Sequence, residues 1–201
     1  MFVQRTLILE RNSASHARRG AITLWMILII PAIVLLFGVV VDMSRLWVAR
    51  IELTNALEAA ALSGVKTWEN IGDTPTGRET ARIHARTAAA ANTVTGHGPL
   101  VLDENENTSN TNDNNLPSGE ILLGRVNISG SPVNFQYNAE PDSGYYFAVR
   151  TQRTDLNVAS IWTVPSWIFG NAMGPYEITA SAVAVYANGQ PRIVHVDAVV
   201  P

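Results

Sequence analysis

The sequence has no cysteine among its 201 residues. This absence excludes disulfide scaffolds, zinc–thiolate sites, iron–sulfur clusters and thiol nucleophiles. The formal net charge of −3 excludes a globally basic nucleic-acid-binding protein. With 47% hydrophobic and 15% charged residues, the composition is that of a folded chain, and the length suits one domain or one domain plus a membrane anchor.

The short motifs that commonly mark enzymes are also absent. There is no His-Glu-x-x-His zinc helix, no Gly-x-Ser-x-Gly elbow, no phosphate loop and no dinucleotide fingerprint. The four histidines are scattered along the chain. His195 and Asp197 share one face of a predicted strand, which is more typical of a solvated edge than of a catalytic dyad. We therefore expect a protein that is not an enzyme and that holds no metal, no cofactor and no small-molecule substrate.

An uncharged apolar run occupies residues 21–41. A helix of this length is roughly 30 Å long, which matches the hydrocarbon thickness of a bilayer. Pro31 lies in the middle of the run, and membrane helices tolerate such a proline with a kink. The run predicts a single membrane-spanning helix, because the rest of the chain is too short to bury it in a soluble core.

Charge differs sharply between the two sides of this run. Residues 1–20 carry a net charge of +3, whereas residues 42–201 carry −6. The excess of arginine predicts a cytoplasmic N-terminus and an extracytoplasmic position for the bulk of the chain. The sequence that follows the run, Asp42-Met43-Ser44-Arg45, is a poor signal-peptidase site, so we expect an uncleaved anchor.

Helical periodicity continues beyond the apolar run. Residues with helical spacing along one stripe are Met43, Leu46, Leu53, Leu57, Ala60 and Gly64. This pattern predicts one helix of about 45 residues, half in lipid and half amphipathic. Asp42 and Arg45 are spaced to pair, and Trp47 is placed like an interfacial anchor. Either the rest of the chain or other subunits must cover the stripe.

Two stretches carry a family resemblance. Arg18-Arg19-Gly20-Ala21-Ile22, then Pro31, and then the stretch from Val40 to Gly64, which ends in Ala-Ala-Ala-Leu-Ser-Gly, closely resemble the N-terminus of TadE/TadG-like proteins. Those proteins belong to the tight-adherence (Flp-type) pilus assembly machinery of bacteria. Weaker similarities at residues 123–126, 147–151, 168–170 and 180–184 point to the TadG-like side of the family.

The resemblance implies a non-enzymatic component of pilus assembly, anchored in the bacterial inner membrane, with a minor pilin-like or scaffold role. Its implied partners are the lipid bilayer and other pilus-assembly membrane proteins or pseudopilins, and no nucleic acid. The partner interface is expected on the helix, at Asp42, Arg45, Leu46, Trp47, Arg50, Leu53, Leu57, Ala60 and Gly64. The alternative is a membrane-tethered binding or adhesion module unrelated to a pilus.

Two departures from the family pattern affect processing and metal binding. Pilins and TadE-like pseudopilins are cut after a glycine that follows basic residues, with a glutamate five residues beyond the cut. Gly20 suits this cleavage site, but the fifth residue onward is Trp25, so we expect no cleavage. Larger TadG-like members carry an Asp-x-Ser-x-Ser metal motif, and the nearest string, at residues 42–46, lacks the last serine, so we expect no metal.

Residues 69–201 are predicted to form an extracytoplasmic α+β domain that follows the tail (1–20), the membrane helix (21–41) and its continuation (42–68). Thr76 to Glu79 reads as a capping box for a second helix that ends at Asn92. The alanine face of that helix, formed by residues 81, 85, 88 and 89, is expected to lie against residues 59–64, and a turn follows at 95–99.

The remaining sequence combines a polar tract with strand patterns. Residues 103–115 are predicted to be a mobile loop, and a calcium loop is disfavoured because the required glycine and glutamate are missing. Strands are predicted at 121–128, 133–137, 145–151 and 176–187, while 192–200 is either a strand or a linker. An apolar knot at 161–169 is either core packing or a membrane or subunit contact. The fold class is therefore α+β, with a long pilin-like helix packed on a small, mostly antiparallel sheet.

Overall fold

A computed structural model describes the backbone of residues 4–94, 97–103, 115–137, 145–157 and 177–200. Side chains are described within these ranges from residue 22, with the exception of 97 and 154–157. The chain divides into two compact units: the first contains the described residues 4–44, and the second contains the described residues from Arg45 onward. The interior of the predicted loop at 103–115 and the predicted apolar knot at 161–169 lie outside the described residues.

The first helix, α1, spans Gln4–Ile71 and has 68 residues. It is longer than the predicted 45 residues because it begins within the predicted cytoplasmic tail, where residues 4–19 contain no glycine or proline to interrupt it. It ends before Gly72, which has a φ of 91° and donates its N–H to the carbonyl of Trp68 at 2.8 Å. From Ile22 onward, α1 is long and apolar enough to cross a membrane, by length and composition.

The second helix, α2, spans Pro75–Ala90. Its N-cap is Thr74, whose Oγ1 accepts a hydrogen bond from the N–H of Gly77 at 3.0 Å. The predicted capping box at Thr76 is therefore wrong by two residues, because Pro75 occupies the first helical position, where its missing N–H costs nothing. The helix ends two residues before the predicted Asn92.

Eight strands are present among the described residues. They are β1 (Thr93–Val94), β2 (His97–Pro99), β3 (Ile121–Val126), β4 (Asn134–Gln136), β5 (Tyr146–Asn157), β6 (Glu177–Ala187), β7 (Gln190–Val194) and β8 (Ala198–Val200). The last six form one sheet in the order β7-β6-β5-β3-β4-β8, which is antiparallel except for the parallel β4–β8 pair. The predicted α+β fold with a mostly antiparallel sheet is confirmed. The segment 192–200 holds parts of two strands, and the predicted turn at 95–99 overlaps the β1–β2 pair.

The six-stranded sheet is strongly curled. Its two edge strands, β7 and β8, are joined by only three residues, 195–197, which can span at most about 14 Å from Val194 to Ala198. A flat sheet of six strands would hold its edges about 24 Å apart. The sheet must therefore curve until its edges approach, and an apolar cluster packs along the same strands, formed by Leu122, Val126, Phe135, Ala148, Val183, Val185 and Ala187.

The opposite face of the sheet supports the helices. Thr151 of β5 donates its hydroxyl to the backbone carbonyl of Leu57 in α1 at 2.7 Å. On β6, Ala182 and Ala184 pair with Thr151 and Val149, so the alternating alanines of that strand lie on the face that meets α1. Because alanine side chains are small, α1 can pack closely against this face of the sheet. The second half of α1 is therefore part of the domain core.

Candidate partner interface on the long helix

The nine residues predicted to form a partner interface do not lie on one surface. Leu53, Leu57, Ala60 and Gly64 are buried inside the chain's own domain. Arg45, Trp47 and Arg50 are exposed, Leu46 is half-buried and Asp42 is buried. The helix therefore has an inner side that holds the domain and an outer side that remains open.

Gly64 is the point at which α1 comes closest to its neighbours. A Cβ atom added there would lie 3.2 Å from the Cβ of Ala85, 3.3 Å from the carbonyl oxygen of Ala81 and 3.3 Å from Cγ1 of Val149. The small-residue face of α2 thus packs against α1 in the region that the sequence predicts. A helix and a strand both approach Gly64 more closely than ordinary van der Waals contact with a Cβ atom allows, so any larger residue would push its neighbours away.

Leu53, Leu57 and Ala60 have no exposed surface. The chain's own domain covers them, and the carbonyl of Leu57 is hydrogen-bonded to Thr151. The sequence leaves open whether the rest of the chain or other subunits cover this stripe. In the structure, the chain itself covers these three residues. Contact with another subunit at these positions would require the domain to separate from α1.

An arginine fixes the C-terminal end of α1 to the sheet. Arg125 of β3 is buried, and its guanidinium lies 4.2 Å from the ring centre of Phe147 and 5.9 Å from that of Trp68. The Trp68 and Phe147 rings are themselves 4.5 Å apart. Arg125 also forms an ion pair with Asp73 at 2.9 Å, in the short connection between the two helices. Cation–π contact and ion pairing thus bind α1, the connection and the sheet together.

Asp73 is the one carboxylate in this cluster. Burial by itself raises its pKa, but the hydrogen bonds and positive charges of Arg78 and Arg125 outweigh burial and hold the pKa of Asp73 below its ordinary value of 3.8. Arg78 contacts the other carboxylate oxygen at 2.6 Å and is half exposed. The carboxylate is therefore ionised whenever the domain is folded near neutral pH.

The outer side of α1 carries an apolar patch that we call the outer patch, made of Trp47, Val48 and Ile51. These side chains are 67%, 51% and 47% exposed, although they lie beside the buried Ala49. The sequence argument identifies Trp47 but misses Val48 and Ile51, because it follows the stripe that runs from Met43 through Leu53 and Leu57 to Gly64. The spacing of Val40, Trp47 and Ile51, seven and four residues apart, was the available signal for a second apolar stripe.

Charged residues near the patch do not pair as predicted. Asp42 is only 6% exposed, whereas Arg45 faces outward, and no ion pair joins them. The i,i+3 spacing permits a pair, but burial of the carboxylate and exposure of the guanidinium separate the two groups. Among the residues that the structure describes, Arg45 and Arg50 form no ion pair.

A residue assigned to the polar tract has a structural role. The side-chain amide of Asn115 donates to the carbonyls of Leu123 and Tyr137 and accepts from the N–H of Leu123. Its φ of 50° lies in the left-handed region, which asparagine tolerates. Asn115 thus joins β3 to the residue after β4, and only the long-range fold reveals this function.

No group of three histidine, aspartate or glutamate side chains among the described residues could hold a metal ion. Asp197 accepts a hydrogen bond from the N–H of Val133 at 2.8 Å and donates its own N–H to the carbonyl of Val133, so it fixes β8 beside β4. Asp197 therefore has a structural role at this edge of the sheet.

Comparison with known proteins gives one family match, which lies on α1. Residues 20–67 match the model of the Tad family, described as Flp pilus-assembly TadE/G-like. The match confirms the predicted resemblance over these residues and links the chain to Flp pilus assembly. It contains the apolar stretch and most of the segment of α1 that enters the domain core, and residues 68–201 lie outside it. No curated protein and no solved structure matches the chain.

Proposed function

We propose that the chain is a membrane-anchored, non-enzymatic component of Flp-type pilus assembly, with a minor pilin-like or scaffold role. The observation that carries the proposal is the Tad match over residues 20–67, which coincides with an exposed apolar helix followed by a packed one. Such a helix is suited to association within a membrane.

The proposed topology has residues 1–20 in the cytoplasm, 21–41 in the inner membrane and 42–201 outside it. The +3 charge of the first segment and the −6 charge of the last support this orientation. If the chain is not cleaved after Gly20, residues 21–41 would anchor the protein permanently. The intact mass of the protein extracted from membranes tests this point, since cleavage after Gly20 would remove twenty residues.

We further propose that other pilus-assembly subunits contact the apolar stretch of α1. Nearly every side chain between Ile22 and Val41 is exposed, whereas Leu53, Leu57, Ala60 and Gly64 are covered by the chain's own domain. Helices associate in lipid through close side-chain packing, so an uncovered apolar helix can both anchor and bind. The two halves of α1 would then have separate tasks.

Deletion and complementation in the host test the proposed function. Cells that lack the gene should lose assembled pili from their surface, and the full chain should restore them. A matched control replaces residues 22–41 with an unrelated membrane-spanning sequence, which keeps the anchor but removes the proposed contact surface. This variant should reach the membrane and fail to restore pili. Normal pili in the deletion strain would refute the role in assembly, and full rescue by the replaced helix would refute the contact.

A further inference from the structure

The outer patch of α1 groups three of the five large apolar side chains that are exposed on the helix beyond Val41, the other two being Met43 and Ile71. Trp47, Val48 and Ile51 are exposed, while Ala49 and Leu53, on the other side of the same turns, are fully buried. The domain therefore covers one side of this segment and leaves the other apolar. Exposing three large apolar side chains to water is unfavourable, so this surface needs a covering.

The patch is bounded by polar residues along the helix. On the same side, the next exposed positions toward the C-terminus are Asn55 and then Lys66 and Glu69. At 100° per residue, Trp47, Val48 and Ile51 fall within one-third of the circumference. Arg45 and Arg50 lie outside this sector, one on each side of it, and both are exposed.

The patch follows the apolar run closely along the helix. Trp47 lies about 9 Å and Ile51 about 15 Å beyond Val41, the last residue of the roughly 30 Å stretch that matches the hydrocarbon thickness. Asp42, the first charge after the apolar run, is buried and therefore does not present a charge to lipid. Tryptophan favours the headgroup level, and arginine side chains reach from there to phosphate groups.

We propose that the outer patch is immersed in the headgroup region of the membrane that α1 spans, with Arg45 and Arg50 directed to lipid phosphates. This rests on the proposed function only in taking α1 as a membrane anchor. Continuity with the apolar stretch on the same helix, the exposed tryptophan and the two flanking arginines favour lipid as the occupant.

Site-directed spin labelling of the full chain tests this inference. Because the protein has no cysteine, the substitutions Trp47→Cys, Val48→Cys and Ile51→Cys each give a single labelling site. The labelled proteins are reconstituted into vesicles of phosphatidylcholine and phosphatidylglycerol. Collision rates with oxygen, which concentrates in lipid, and with a water-soluble nickel chelate are then measured. Ile33→Cys in the apolar stretch and Lys66→Cys on the polar continuation are the two references, and near-UV circular dichroism identifies correctly folded variants.

We expect the ratio of oxygen to nickel collisions at the three patch positions to be several-fold higher than at Lys66 and lower than at Ile33. A ratio at Ile51 equal to that at Lys66 would overturn the inference, because the patch would then face water. An immobile label screened from both reagents would also overturn it, since a protein would then cover the patch. If Ile33 itself is accessible to nickel, the anchor proposal fails. If Ile33 lies in lipid and the patch does not, only the present inference fails.

Discussion

Arg125 and Asp73 are 52 positions apart in the chain and form an ion pair of 2.9 Å that joins the sheet to the connection between the two helices. The side chain of Arg125 is 8% exposed and rests on the rings of Trp68 and Phe147. The pair thus connects the C-terminal end of α1 to the sheet. It adds to the apolar packing of Leu53, Leu57 and Ala60 that holds the domain to α1.

Asp73→Asn should lower the free energy of unfolding by about 2 kcal/mol, because it leaves the buried guanidinium of Arg125 without its counter-charge. The expected loss is below that of a fully buried pair, since the Asp73 side chain is 22% exposed. Thermal unfolding of the detergent-solubilised protein, followed by near-UV circular dichroism, measures the change. The matched control is Arg78→Gln, which removes the half-exposed partner of the same carboxylate and should cost less than about 1 kcal/mol. Equal effects of the two variants would contradict a special role for Arg125.

The contribution of Asp73 should also depend on pH. Its pKa is lowered in the folded protein, so ionised Asp73 stabilises the fold above the unfolded pKa, near 3.8, and this stabilisation is lost as pH falls through the lower folded value. The difference in unfolding free energy between wild type and Asp73→Asn should therefore be constant from pH 7 to about 5 and shrink below about 4. A difference that instead shrinks between pH 7 and 5 would show that another group is responsible.

Gly64→Val should destabilise the domain by more than about 2 kcal/mol, because a branched side chain has no space between α2 and β5. The backbone carbonyl of Ala81 is one of the contacting groups, and it cannot move away as a flexible side chain would. Gly98→Val is the matched control, since no atom lies within 4 Å of its Cβ position. Chemical denaturation of both variants provides the comparison. Tolerance of valine at position 64 would indicate that α1 and α2 are not packed as described.

Gly124→Ala tests packing on the face of the sheet opposite the helices. The added methyl group would lie 2.6 Å from Cζ of Phe135 and would also meet the backbone carbonyl of Gln136. We expect a loss of about 2–3 kcal/mol, whereas Gly98→Ala should change stability by less than about 0.5 kcal/mol. An unchanged denaturation midpoint for Gly124→Ala would contradict the close packing of Phe135 against β3.

Truncation should separate the structural contribution of α1 from its membrane contribution. A fragment of residues 45–201 retains the inner side of the helix and should fold, while residues 65–201 lose Leu53, Leu57, Ala60 and Ala61 from the core and should not. Dispersion of amide signals in NMR spectra distinguishes the two states. A folded, monomeric 65–201 fragment that binds a ligand would favour the tethered binding module over the pilus component.

Sequence patterns predict the helices and the central strands well, because hydrophobic periodicity is local. The predicted strand at 121–128 contains β3, and 176–187 contains β6 with one extra residue. Predicted helix ends are wrong where two residues satisfy the same capping pattern. Thr74 and Thr76 can both cap a helix next to Pro75, and the structure has Thr74 as the N-cap. In the sequence, residues 192–200 show one continuous alternation of apolar and polar residues. In the structure, their two halves belong to β7 and β8, the strands at opposite edges of the sheet.

The candidate site is harder to predict because α1 has two apolar stripes. Periodicity alone does not state which stripe the domain covers, so Leu53 and Leu57 are predicted to contact partners while Ile51 is not considered. The contact between Arg125 and Trp68 and the bridging amide of Asn115 also depend on long-range pairing that leaves no local signal. The family resemblance identifies the helix, and only the fold assigns its two sides.

Photo-crosslinking from two positions of α1 in cells tests the central claim most directly. A photoreactive amino acid is placed at Ile33, in the exposed apolar stretch, or at Leu57, in the domain core. The account predicts that the probe at Ile33 forms adducts with other pilus-assembly subunits, whereas the probe at Leu57 forms only intramolecular products. Adducts with those subunits from Leu57 and none from Ile33 would contradict the account.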